Sequence, residues 1–193
     1  VVLGHQKYET ARLFLAALKG HCLRRKSRCV KIYFVGTNYV STDGFVTRAN
    51  SIAAELGISR CVIEVPERLD YFEALKVMLD ADALLLLGSE DPHYTSSKIY
   101  PYLLSKRPIL ALLHAESNAS RILAEVGGVE IVEYKRDQPL GELTGHLSAR
   151  LTSFLDRLPF EPNTNWGGCE EYSARRMTEK LVVFFEKVLE STA

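Results

Sequence analysis

The chain has 193 residues, 47% of them apolar, and its 24 lysines and arginines balance 24 aspartates and glutamates. That length supports a full core without disulfides or metals, and the even charge argues against a nucleic-acid partner, which would call for a basic face. The longest apolar run, 13–18, is far short of the ~20 residues of a membrane-spanning helix, so no transmembrane segment is expected.

Other classes narrow further. No charged-then-apolar leader is visible, and the chain opens on Val1 rather than methionine, the expectation being a processed or excised piece. Cys22, Cys29, Cys61 and Cys169 form no Cys-x-x-Cys pair and no zinc-like spacing with histidine, so idle reduced thiols and a cytoplasmic setting are expected. The cluster Arg24-Arg25-Lys26 with Arg28 reads as a solvated helix end, favourable to the helix dipole. Peripheral contact with anionic lipid is its alternative reading.

Strand-like runs alternate with amphipathic stretches along the chain. The strands are expected at 1–3, 30–35, 61–65, 83–87, 109–113 and 129–132. Most are continuously apolar, as in a parallel sheet covered on both faces. Between them, Leu13, Ala17 and Leu18 mark a first helix. Phe45, Ala49, Ile52, Ala53 and Leu56 mark a second, closed by Gly57. Phe72, Leu75 and Leu79 mark a third, and Ile122 with Val126 another, stopped by Gly127-Gly128. The pattern predicts an α/β fold, a Rossmann-like doubly wound sheet of six strands in the order 3-2-1-4-5-6. Beyond it, Leu140, Leu143, Leu147, Leu151 and Leu155 stripe a long helix. A loop rich in Pro, Asn and Gly then leads to a last helix with Tyr172, Met177, Leu181, Phe184, Phe185 and Val188. The expected division is a Rossmann-like domain at 1–158 and a linker with a C-terminal helix at 159–193.

Familiar nucleotide signatures are missing. There is no Gly-x-Gly-x-x-Gly after a strand, no phosphate-loop Gly-x-x-x-x-Gly-Lys-Ser/Thr and no Gly-x-Ser-x-Gly elbow. These absences set aside the usual dehydrogenases, phosphate-loop NTPases and α/β-hydrolases.

Chemistry concentrates at 81–114. A buried strand ends at Gly88, which lets the chain leave the sheet at its carboxyl edge, where open α/β sheets hold ligands. A polar loop follows, with Ser89, Glu90, Asp91, His93 and Tyr94. Thr95, Ser96 and Ser97 then open a helix carrying Ile99, Tyr102, Leu103 and Leu104. Hydroxyls at a helix start cap free amides. A lysine there opposes the dipole unless an anion shares the site, which makes Lys98 the informative residue. His114, ending the fifth strand, either reaches the crevice or caps the following loop.

The run GSEDPHYTSSKIYPYLLSKRPILAL resembles the donor-binding half of GT-B glycosyltransferases, especially the retaining group called family 4. The run IYFVGTNY at 32–39 is similar to that domain's second strand and turn, and YSARRM at 172–177 to its closing helix. The resemblance implies that Ser96, Ser97 and Lys98 hold the diphosphate of a nucleoside diphosphate sugar donor. Gly88, Ser89, Glu90, His93 and Tyr94, with Thr95, would line the sugar and phosphate side. Pro66 and Arg68 would lie near the base, and Tyr102 would flank the ribose. Where many family-4 enzymes place a ribose-binding glutamate, this chain has Pro101. The resemblance further implies glycosyl transfer without a metal or other cofactor, and an N-terminal domain of the same polypeptide as partner. The alternatives are a sugar-nucleotide epimerase of the same architecture and a non-enzymatic flavodoxin-like interaction module.

Overall fold

The protein's structure, a computed structural model, describes residues 1–3, 8–24, 30–37, 48–89, 91, 93, 95–135 and 138–192. Expectations placed on Arg25, Lys26, Arg28, Cys29, Phe45, Glu90 and Tyr94 fall outside these residues.

Six parallel strands carry the fold: β1 (Val2–Leu3), β2 (Ile32–Val35), β3 (Val62–Val65), β4 (Leu84–Leu87), β5 (Ile109–His114) and β6 (Val129–Tyr134). They pair as β1-β2-β3 and β4-β5-β6, all parallel. Val1 joins the two sheets: its nitrogen donates to the Ala83 carbonyl at 2.9 Å and its carbonyl accepts from the Leu85 amide at 2.9 Å. The strands therefore run 3-2-1-4-5-6, with the order reversing between β1 and β4, as the sequence pattern predicts. The fold is a Rossmann-like α/β sheet.

The central strands read as unbroken apolar runs because both of their faces are covered. Leu85, Leu87, Leu110 and Leu112 point into one core, shared with Phe14, Leu15 and Leu18 of α1 (Tyr8–Arg24), Ile52 and Ala53 of α2 (Arg48–Leu56) and Leu147, Leu151 and Phe154 of α6 (Leu140–Asp156). Leu84, Leu86, Ile109, Ala111 and Leu113 point into the other. That core takes Met78 of α3 (Tyr71–Asp80), Tyr102 of α4 (Ile99–Leu104) and Ile122 and Leu123 of α5 (Asn118–Val126). Truncating such a residue, Leu112→Ala for one, costs about 2–5 kcal/mol through lost transfer energy and a cavity. Polar ties add register to the α1–α6 contact. Ser148 Oγ donates to the Ala17 carbonyl at 2.9 Å, and His21 Nδ1 meets Thr152 Oγ1 at 3.0 Å.

Three local expectations change. In α3 the stripe Phe72–Leu75–Leu79 only partly faces the core: Leu75 packs against it half-buried beside the buried Met78, while Phe72 is 78% exposed and Leu79 is exposed too. The capping box of Asp70 and Glu73 starts this helix at Tyr71 and sets the face it presents. Leu140 is also exposed, because it stands at the first position of α6, before the helix meets the sheet. The third change concerns the start of α4 and belongs to the site below. Gly127 ends α5 as predicted, with φ 69° and its amide bonded to the Leu123 carbonyl at 2.9 Å.

The segment after α6 packs back against the body before the last helix departs. The Asn165 amide donates to the Val126 carbonyl at 2.8 Å, Lys106 lies over the Trp166 ring, and the Tyr172 hydroxyl donates to Glu125 at 2.8 Å. These contacts involve the short α7 (Trp166–Glu170) and its flanks. α8 (Ala174–Thr192) follows with Met177, Leu181, Phe184, Phe185, Val188 and Leu189 all exposed.

Candidate functional site

Parallel strands bring every strand-to-helix loop to one rim of the sheet. The strand order reverses between β1 and β4, which opens the ligand crevice of this architecture beside Leu3 and Leu87. The residues that follow β4 decide what that crevice offers.

β4 ends at Leu87, and Gly88 makes the last bond to β5 before the chain leaves the sheet. Its amide donates to the Leu112 carbonyl at 2.8 Å. A Cβ there would stand 2.9 Å from Leu113 Cδ2 and 3.1 Å from the Leu112 oxygen. Close approach to β5 therefore favours glycine at this position.

The loop beyond is organised by its own side chains. Ser89, buried, accepts the Asp91 amide at 3.3 Å, and Asp91 Oδ1 accepts the His93 amide at 2.9 Å. His93 itself is exposed, as are Thr95 and Ser97. Ser96 is only 2% exposed, and its hydroxyl accepts the Lys98 amide at 3.3 Å. This local turn competes with helix formation. The helix consequently starts at Ile99, with Lys98 as its N-cap residue, and not at the hydroxyl cluster as predicted. Pro101, in the first turn, costs no hydrogen bond because amides there lack intrahelical partners.

Lys98 and Ser96 meet Leu3, Leu85, Leu86, Leu87 and Tyr102 around a gap at the rim of β4, too tight for a water molecule. Burial pushes the Lys98 ammonium below the usual lysine range. Among the described residues no carboxylate forms an ion pair with it. Tyr102 is buried in the core, and its hydroxyl accepts the Leu3 amide at 3.1 Å. It thus ties α4 to β1 across the reversal point.

The remaining sequence-derived residues spread along the rim. Pro66 is half-buried and Arg68 exposed, both just past β3. In the order 3-2-1-4 they stand three strand spacings from β4, roughly 14 Å. His114 caps its loop, its Nδ1 accepting the Glu116 amide at 3.3 Å, and packs edge-on to Tyr134. The structure thus brings Ser96, Lys98 and Tyr102 together beside Leu3. His93, Thr95 and Ser97 face outward from that gap, and Pro66 with Arg68 stands apart.

Two carboxylates escaped the sequence reading. Glu64 accepts from Thr37 Oγ1 at 2.8 Å and from the Asn50 amide at 3.0 Å, tying the loop after β2 to the first turn of α2. Glu130 takes ion pairs from Arg150 and Arg157 of the α6 side. An acidic residue within a buried-sheet strand was the available signal for both. A cleft of about 800 Å³, lined by Lys135, His146 and Arg150 among others, runs along the outer edge of β6, away from the reversal point. Among the described residues, no three His, Cys, Asp or Glu side chains gather as a metal site. No described helix is long and apolar enough to cross a membrane.

No protein-family model matches the chain, and no curated protein matches it in sequence. Among solved structures, the chain is similar to the UDP-GlcNAc 2-epimerase of Methanocaldococcus jannaschii, at a TM-score of 0.52 and 13% sequence identity. The match covers 96% of this chain and 45% of that one, so the chain spans less than half the length of the epimerase. At this identity the likeness is one of fold: the chain shares a GT-B-like, Rossmann-type architecture with an enzyme named for a sugar nucleotide.

Proposed function

We propose that the chain is the nucleoside-diphosphate-sugar-binding domain of a GT-B glycosyltransferase, with the diphosphate held at the mouth of the gap formed by Ser96 and Lys98. The observation that carries this reading is the Lys98 ammonium. It is half-buried beside apolar strand ends, its charge disfavoured by desolvation, and no carboxylate among the described residues offsets it. A phosphate at that mouth supplies the missing counter-charge.

The gap itself admits no ligand, so the anion meets Lys98 on its solvent side, where Ser97 is exposed. During glycosyl transfer negative charge grows on the departing diphosphate. A fixed ammonium stabilises that charge more than it stabilises the bound donor, which lowers the barrier. The acceptor, and a second domain of the same polypeptide, complete the reaction. The exposed apolar face of α8 fits that second domain as its covering surface.

Epimerisation of a sugar nucleotide is the second reading, favoured by the fold likeness to the UDP-GlcNAc 2-epimerase. Both readings require the same diphosphate site, and product analysis of the full-length protein separates them. Calorimetric titration with UDP, GDP and ADP tests the shared part. Binding of at least one, between micromolar and millimolar, and weakened about tenfold or more by Lys98→Met, is the expected outcome. A folded chain that binds none of the three would leave the interaction module as the better reading.

A further inference from the structure

Cys22 and Cys61 are 39 residues apart in sequence, yet their sulfurs stand 3.4 Å apart. Cys22 lies near the end of α1, half-buried. Cys61 is buried, closing the 3-10 turn Ser59–Cys61 that leads into β3. A disulfide needs its sulfurs at about 2.05 Å, so closure requires a shift of little more than an ångström in the two side chains. Lys31 donates to the Arg60 carbonyl at 2.6 Å, which anchors an ammonium one residue from Cys61.

We propose that Cys22 and Cys61 form a reversible intramolecular disulfide, made by hydroperoxides and undone by thiols. The sulfur of Cys22, the more accessible of the two, attacks the peroxide. An S–O bond forms, the O–O bond breaks, and water leaves a sulfenic acid. The Cys61 thiol then attacks that sulfur: the S–S bond forms, the S–O bond breaks, and the thiol proton leaves with the hydroxyl as a second water. Two thiols are oxidised and one hydrogen peroxide is reduced to two waters.

The bond would join the end of α1 to the start of β3 and enclose β2 and α2 in one covalent loop. Both cysteines lie at the amino edge of the sheet, opposite the rim that carries Lys98, because α1 runs back from the carboxyl end of β1. The pair therefore acts on stability and leaves nucleotide affinity alone.

The test treats the reduced 193-residue chain with hydrogen peroxide and maps its tryptic peptides without reduction. The expected product joins GHCLR (20–24) to CVIEVPER (61–68), lighter than their sum by two hydrogens and separated again by dithiothreitol. The oxidised chain should melt roughly 5 °C higher, and neither Cys22→Ser nor Cys61→Ala should show the linked peptide or the rise. UDP affinity within twofold between the two forms supports the placement away from the rim, whether or not Lys98 proves to bind nucleotide. Cys22 recovered as sulfinic acid, or joined to Cys29 or to a second chain, with Cys61 still reduced, overturns the proposal.

Discussion

Lys98 couples stability to pH in an unusual direction. Its folded pKa lies below the ordinary 10.5 because burial disfavours the charge, so the unfolded chain holds this proton more tightly. The penalty is fully present at neutral pH. It is relieved as pH rises through the interval between the lowered value and 10.5, and stability from this group increases there. Lys98→Met should flatten that part of the stability–pH curve in chemical denaturation, and leave the melting temperature at pH 7 unchanged or higher. A diphosphate bound as proposed would reverse the balance by favouring the ammonium. Nucleotide affinity should accordingly fall over the same interval. A substitution that weakens binding while sparing or raising stability distinguishes a binding lysine from a structural one.

Two other residues near the end of β4 behave in the opposite way. Tyr102→Phe removes the acceptor of the Leu3 amide and should destabilise the fold by about 1 kcal/mol or more in urea denaturation. Gly88→Ala forces a methyl against Leu113 and the Leu112 carbonyl and should cost roughly 1–3 kcal/mol. In the sequence Gly88 stands out as the residue that ends a buried strand, and Tyr102 only through the resemblance. Their actual neighbours come from β1 and β5, elements remote in sequence, and no local pattern shows that.

At the level of the element, the glycine stops were readable, while caps and buried faces were less so. Ser117 caps α5 through the Ser120 amide at 3.1 Å, and Ser117→Ala should cost about 1 kcal/mol. α5 stops at Gly127 because glycine adopts positive φ without strain. The start of α4 was misplaced because Ser96 spends its hydroxyl on a turn, a choice that serine makes as readily as capping. The buried face of α3 was misread because a short helix at the side of a sheet presents only part of its surface to the core. α8 is the opposite case: a clear apolar stripe that none of the described residues covers. Leu181→Gln with Phe184→Gln should leave the thermal melt of this chain within about 1–2 °C, since neither side chain contributes to its core. A large loss of stability would show instead that α8 packs on its own body.

For the whole molecule, the strand order was legible because parallel pairing leaves a strong trace. Central strands lose their polar alternation, and each crossover needs its own amphipathic stretch. β1 shows how little suffices, since two residues hold the reversal point once Val1 bridges to Ala83 and Leu85. The rim was less legible. Which polar residues converge there depends on how each loop bends after its strand, and Ser96 points in while Ser97 points out. The approach of Cys22 to Cys61 left no sequence trace at all, because it joins the end of one helix to the start of a distant strand.

The most direct measurement is an amide NMR titration of this chain with UDP. The largest shifts are expected at Gly88, Ser96, Ser97 and Lys98, with weaker ones beside Leu3, all reduced in Lys98→Met. Shifts confined to the β6 edge near Lys135, His146 and Arg150, or saturable binding that leaves the end of β4 undisturbed, would contradict it.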